Sequence, residues 1–144
     1  MKLLVLNGPN LNLLGIRKPE IYGKRTLDEV MSELEAYLIS KGAEAEFFQS
    51  NHEGELIDRI HAAIGNTDGI LFNPGAFTHY SYALRDAIES ADIPCVEVHL
   101  SDIHNRESFR ATSVIEPVCL AQVSALGERS YFVGADILLS RFGG

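Results

Sequence analysis

The sequence predicts a doubly wound α/β fold, a five-stranded parallel sheet with helices on both faces, in one domain spanning residues 1–144. Three observations predict it. Short apolar runs alternate with amphipathic segments along the whole chain, the mark of repeated strand–helix units. The apolar runs are continuous, as strands covered on both faces require. No linker, repeat or low-complexity stretch divides the chain, and 144 residues suffice for one core.

Each element has local support. Residues 2–6 are an apolar run ended by Asn7-Gly8-Pro9, and read as a buried strand. Residues 7–25 form a long loop with three glycines and two prolines, and loops of that length in small domains are usually functional. Thr26 and Glu29 make a capping box. Leu27, Val30, Met31, Leu34 and Leu38 follow at helical spacing until Lys41-Gly42 stops the helix. Residues 45–49 are the second strand. Leu56, Ile57, Ile60, Ala63 and Ile64 mark a helix stopped at Gly65-Asn66. Residues 69–73 are the third strand, closed by Pro74-Gly75. Residues 81–91 are helical, with Leu84, Ala87, Ile88 and Ala91 on one face. Residues 95–100 are the fourth strand, 107–111 a short helix, 118–123 the fifth strand and 128–140 the last helix. The flavodoxin-like order 2-1-3-4-5 suits five strands in one small domain. Right-handed crossovers then put every carboxyl end on one edge, where such sheets bind ligands.

Composition narrows the function. Twelve basic residues against 20 acidic ones give a formal net charge of -8, which argues against nucleic acid or an anionic membrane face as partner. No apolar run approaches a membrane span, and the first apolar run is too short for a signal peptide. Cys95 and Cys119, both among apolar neighbours, read as buried thiols of a cytoplasmic protein. The five histidines have no metal-ligand spacing, so no metal is expected. Neither a dinucleotide fingerprint, a Walker lysine loop nor a serine-hydrolase elbow occurs, and no cofactor is expected. None of the four lysines looks desolvated enough for an imine.

The carboxyl edge is loaded with polar groups: Asn7-Gly8-Pro9-Asn10 after the first strand, Asn73 through His79 after the third, and Glu97, His99, Leu100 and Ser101 on the fourth. Glu97 and His99 are two apart and share a face of a strand. A carboxylate beside an imidazole orients it and favours its protonated form, which suits a general acid. The pair is equally readable as structural, and asparagine and glycine after strands are ordinary turn residues. His61 falls beside an apolar helix face and reads as packing; His52 and His104 read as loop residues. In the long loop, Gly15 and Gly23 flank Arg17, Pro19 and Tyr22, the outline of a hinged lid. A free phenol is a poor base, but a cation about 4 Å away contributes up to ~4 kcal/mol toward tyrosinate. The alternative is a solvated loop in which Arg17 and Tyr22 contact nothing in particular.

These residues together carry a resemblance. Residues 4–15 (LVLNGPNLNLLG), Arg17 and Glu20-Ile21-Tyr22-Gly23 are similar to the N-terminal signature of type II 3-dehydroquinate dehydratases. Asn73-Pro74-Gly75-Ala76-Phe77-Thr78-His79, Ala83-Leu84-Arg85-Asp86-Ala87, Glu97-Val98-His99-Leu100-Ser101, Arg106-Glu107 and Phe109-Arg110 continue it across the chain. The resemblance implies a flavodoxin-like lyase of the shikimate pathway. It would convert 3-dehydroquinate to 3-dehydroshikimate and water by anti elimination through an enolate, without metal or imine. It implies Tyr22 as base, Arg17 as its activator, and His99 as acid oriented by Glu97. Asn10 would hold a water against the enolate oxygen. Asn73, His79 and Arg110 would contact substrate, and the Leu100 and Ser101 amides its carboxylate. Asp86 would complete a neighbouring subunit's site in a homododecamer built as a tetramer of trimers. Tyr80, Tyr82 and Glu116 depart from the residues usual in the family, and none is a catalytic match.

The competing reading is a non-catalytic flavodoxin-like small-ligand sensor, which needs no acid–base set. A phosphate-accepting receiver would need an acidic pair after the first strand, where Asn7–Asn10 carry no carboxylate. A flavin carrier would need serines or threonines in residues 7–15, which have none.

Overall fold

Strands Lys2–Asn7 (β1), Glu44–Gln49 (β2), Gly69–Asn73 (β3), Cys95–Val98 (β4) and Ala121–Val123 (β5) pair in parallel, in the order β2-β1-β3-β4-β5. The order is the predicted one. This computed structural model describes residues 1–16, 20, 24–105 and 107–142. The described α-helices are Leu27–Ser40 (α1), Glu53–Ala62 (α2), Tyr82–Ala91 (α3) and Arg129–Phe142 (α4).

Alternation along the strands divides the core in two. Leu3, Val5, Leu71, Val96 and Val98 face one side, where Leu34 and Leu38 of α1 and Tyr131, Ala135 and Leu138 of α4 cover them. Leu4, Leu6, Ile70 and Phe72 face the other, against Leu56 and Ile60 of α2 and Leu84, Ala87 and Ile88 of α3. Burying both faces explains the continuous apolar runs. At about 25 cal/mol per Å² of apolar surface, each fully buried leucine contributes roughly 1.5–3 kcal/mol.

Caps fix where helices begin. Thr26 and Glu29 form the predicted capping box reciprocally, with Glu29 N donating to Thr26 Oγ1 at 3.2 Å and Thr26 N to Glu29 Oε1 at 3.1 Å. Ser81 stands outside α3 as its N-cap, accepting from Leu84 N at 3.1 Å.

Several boundaries move. β4 ends at Val98 and not at residue 100, because its edge partner β5 is only three residues long. β5 begins at Ala121 because Pro117 sits in a 3-10 turn, Glu116–Val118. The predicted helix at 107–111 is a single 3-10 turn, Ser108–Arg110. His61 is exposed on α2 and does not pack in the core. Cys95 is buried but Cys119 only half-buried, and both are free thiols.

Candidate active site

The loops after β1 and β3 meet at two glycines. Gly8 N donates to Asn73 O at 2.8 Å, and a Cβ on Gly8 would collide with the Pro74 carbonyl. Gly75 has φ +60°, and a Cβ there would come within 3.1 Å of Pro9 O. Only glycine permits both the left-handed backbone and this approach. The contact closes one side of a cleft of about 120 Å³ at the carboxyl edge.

Seven of the residues singled out in the sequence line this cleft: Asn10, Asn73, His79, His99, Leu100, Ser101 and Arg110. Glu97 lies behind His99, fully buried. Asp86 is exposed on α3 and does not line the cleft of its own chain. Arg17 and Tyr22 lie outside the described residues, as does Arg106.

Glu97 organises the buried half of the site. Its Oε2 is 2.5 Å from His99 Nε2, and Ser113 Oγ donates to the same carboxylate at 2.9 and 3.0 Å. Thr78 Oγ1 also donates to Oε2. Burial pushes the Glu97 carboxyl up, but the bonds from His99, Thr78 and Ser113 outweigh it, and the net shift is downward. An ionised carboxylate only accepts, so His99 Nε2 must carry the proton it shares with Glu97. That leaves Nδ1 as the nitrogen available to a ligand. Ser113 is itself held, accepting from Ile115 N at 3.2 Å and Glu116 N at 3.0 Å.

His79 is fixed in the complementary sense. Its Nδ1 donates to the Thr112 carbonyl at 2.8 Å, so Nε2 is left as an acceptor in the neutral ring. Burial lowers its pKa, the Thr112 bond opposes this, and the neighbouring His99 and Arg110 charges add to the lowering. A neutral His79 can accept from a hydroxyl. Arg110 pairs with Glu107 at 2.6 Å and lies 4.8 Å from the Phe109 ring, bringing a cation to the cleft.

Backbone geometry fixes the rim. Asn10 is left-handed (φ 69°), and its N–H donates to Asn51 Oδ1 at 2.9 Å. The carbonyls of Leu100 and Ser101 accept from Gly127 N at 3.0 Å and Ala125 N at 3.2 Å, which orients the turn after β4. Asn73 Oδ1 accepts from Gly75 N at 3.2 Å, and its Nδ2 donates to Tyr131 Oη at 2.9 Å. Among the described residues, no group of three or more histidine, cysteine, aspartate or glutamate side chains is placed to hold a metal ion.

Sequence reasoning missed the supporting residues. Thr78 had a signal, its place between Phe77 and His79 in the loop that follows β3. Ser113, Thr112 and Tyr131 had none, because each reaches the site only through the tertiary fold.

Known proteins share this fold. The family described as "Dehydroquinase class II" matches residues 1–139. A 3-dehydroquinate dehydratase from Geotalea daltonii is 55% identical over 134 residues, 93% of this chain and 93% of that protein. One from Bacillus pumilus is 52% identical over 140 residues, 97% of this chain and 95% of its own length. The crystal structure of a type II dehydroquinase from Butyrivibrio crossotus superposes with a TM-score of 0.94 at 51% identity, covering 96% of this chain and 97% of that one. That from Propionibacterium acnes gives 0.90 at 37% identity, with 95% of each chain covered. With the family match over nearly its whole length and identities above half, the chain belongs to the class II dehydroquinases.

Proposed function

We propose that this chain is a type II 3-dehydroquinate dehydratase, a hydro-lyase of the shikimate pathway, with one catalytic domain across residues 1–144. The observation that carries the reading is the His99–Glu97 pair, a cleft-lining imidazole held by a buried carboxylate beside His79, Arg110 and Asn73. That is an acid with its orienter, next to groups that bind hydroxyl and carboxylate oxygens.

The step is an elimination. Tyr22, as the tyrosinate that Arg17 activates, takes the proton next to the ketone. The freed electron pair moves onto the ketone oxygen, giving an enolate, against which Asn10 holds a water. When the carbonyl re-forms, the electrons make the ring double bond and expel the hydroxyl. His99 gives that hydroxyl its proton, and it leaves as water. Hydroxide is a poor leaving group, so this proton transfer is where a general acid contributes most. Asn73, His79 and Arg110 bind the ring and its hydroxyls, and the Leu100 and Ser101 amides the carboxylate. The chemistry needs no metal, imine or cofactor.

Asp86 completes the site of a neighbouring copy in a homo-oligomer, a dodecamer of four trimers. Its exposure on α3, near the exposed Tyr80 and Tyr82, supports an interface there. The location is cytoplasmic; among the described residues no helix is long and apolar enough to cross a membrane. The alternative, a non-catalytic sensor, finds no support among the relatives, which are named as enzymes.

Enone absorbance rising on addition of 3-dehydroquinate, with a chelator present, is the expected result. No product at any enzyme concentration overturns the reading.

A further inference from the structure

Asn7 and Asn73 stand opposite each other as the last residues of β1 and β3. Tyr131 of α4 joins them. Asn73 Nδ2 donates to its hydroxyl at 2.9 Å, and the hydroxyl donates to Asn7 Oδ1 at 2.5 Å. All three side chains are buried.

Two atoms, Met31 Sδ at one end and Gly75 N at the other, dictate the direction of the chain. Asn7 Nδ2 lies 3.4 Å from Met31 Sδ, and a thioether sulfur only accepts. Asn7 must therefore turn its NH2 to Met31 and its oxygen to Tyr131. Tyr131 spends its proton on that oxygen, so it offers Asn73 a lone pair. Asn73 must answer with its NH2, and its oxygen falls to Gly75 N at 3.2 Å. Burial raises the phenol's pKa, so Tyr131 keeps its proton throughout the working pH range. Reversing any link would leave buried groups unpaired, which costs more than a hydrogen bond contributes.

We propose that Tyr131 is a positioning residue: with Asn7 and Met31 it fixes which way the Asn73 amide faces the cleft, and so how tightly substrate is held. The inference rests on the dehydratase reading above. The second N–H of Asn73 becomes the polar group offered to an oxygen-rich, anionic ligand. An amide held by Gly75 N alone would turn more often, and would meet the same ligand with oxygen in part of the population.

The test is steady-state kinetics with 3-dehydroquinate on Tyr131→Phe and Met31→Leu. The phenylalanine keeps the ring, and leucine keeps the apolar volume while removing the sulfur. The expected result is a KM raised about 3- to 10-fold in Tyr131→Phe, with kcat per folded site changed less than about twofold. Met31→Leu should raise KM in the same direction by less. Tyr37→Phe, which removes an exposed phenol bonded to Asp136, should leave KM and kcat unchanged. A purely structural role would lower the folded fraction and leave KM alone. Wild-type KM in both variants, or lowered kcat at unchanged KM, overturns the proposal. If Tyr131→Phe does not fold, Met31→Leu decides alone. Wild-type protein that does not turn over 3-dehydroquinate overturns the dehydratase reading itself, and this role with it.

Discussion

Glu97 Oε2 sits 2.5 Å from His99 Nε2, with the carboxylate fully buried and the imidazole at the cleft wall. His99, Thr78 and Ser113 together donate to both oxygens of Glu97, so the fold itself satisfies the carboxylate. His99→Ala should therefore remove an acid and leave the scaffold standing, since Thr78 and Ser113 still satisfy the carboxylate. Turnover per folded site should fall about 10²–10⁴-fold, the usual contribution of a general acid, with a smaller change in KM. Kinetics beside a thermal melt decide it. Normal turnover in the folded fraction would assign His99 to packing alone.

Acid should weaken the fold in two stages. His79 titrates below 6.5 in the folded protein, chiefly because burial disfavours its cation, so the unfolded chain binds that proton first. Its contribution is complete above that value and is lost as pH falls through the lower folded one. Glu97 titrates below 4.5, because its hydrogen bonds outweigh burial; its contribution is complete above 4.5 and is lost on further acidification. Urea midpoints measured against pH should be level above neutrality, fall below 6.5, and fall further below 4.5. Glu97→Gln should flatten the second stage. An unchanged slope there would place the acid sensitivity elsewhere.

Tyr22→Phe should bind substrate almost normally and lose most turnover, because only the proton acceptor goes. Equilibrium binding of 3-dehydroquinate to this variant, compared with its rate, tests the base role. Near-normal turnover removes Tyr22 from it.

Asp86 offers a test between subunits. If it completes a neighbour's site, Asp86→Ala and Tyr22→Phe should each be nearly inactive alone. Mixed subunits, dissociated and reassembled, should regain about one quarter of wild-type activity, the chance that a site draws both intact residues. No recovery on mixing, or an active monomer by light scattering, would confine each site to one chain.

The elements were legible because their signals are local: apolar runs, the Thr26–Glu29 box, and the stops at Lys41-Gly42 and Gly65-Asn66. What escaped depends on partners. The end of β4 is set by where β5 runs out, and residue 118 lies in a turn because Pro117 does. The cleft residues after β1, β3 and β4 were legible because strand ends converge on one edge in this topology, and Arg110, in a turn, only through the family resemblance. Their supports were not. Ser113 reaches Glu97 across 16 residues, His79 reaches Thr112 across 33, and Tyr131 reaches Asn7 across 124. Such separations leave no trace in periodicity. His61 was misplaced because proximity to an apolar stripe in sequence says little about which way the ring turns.

The hydroxyl shared by Asn7 and Asn73 also bears on how the protein is made. β1 leaves the ribosome first, yet it lies inside the sheet, and β3 must arrive before it is covered on that side. Tyr131 emerges 58 residues after Asn73. A nascent chain that has already paired β1 with β3 still carries two buried-to-be amides without their bridge. Contacts so distant in sequence form late and slowly. Until α4 docks, the polar ends of β1 and β3 lack the hydroxyl that joins them, and they stay open to water.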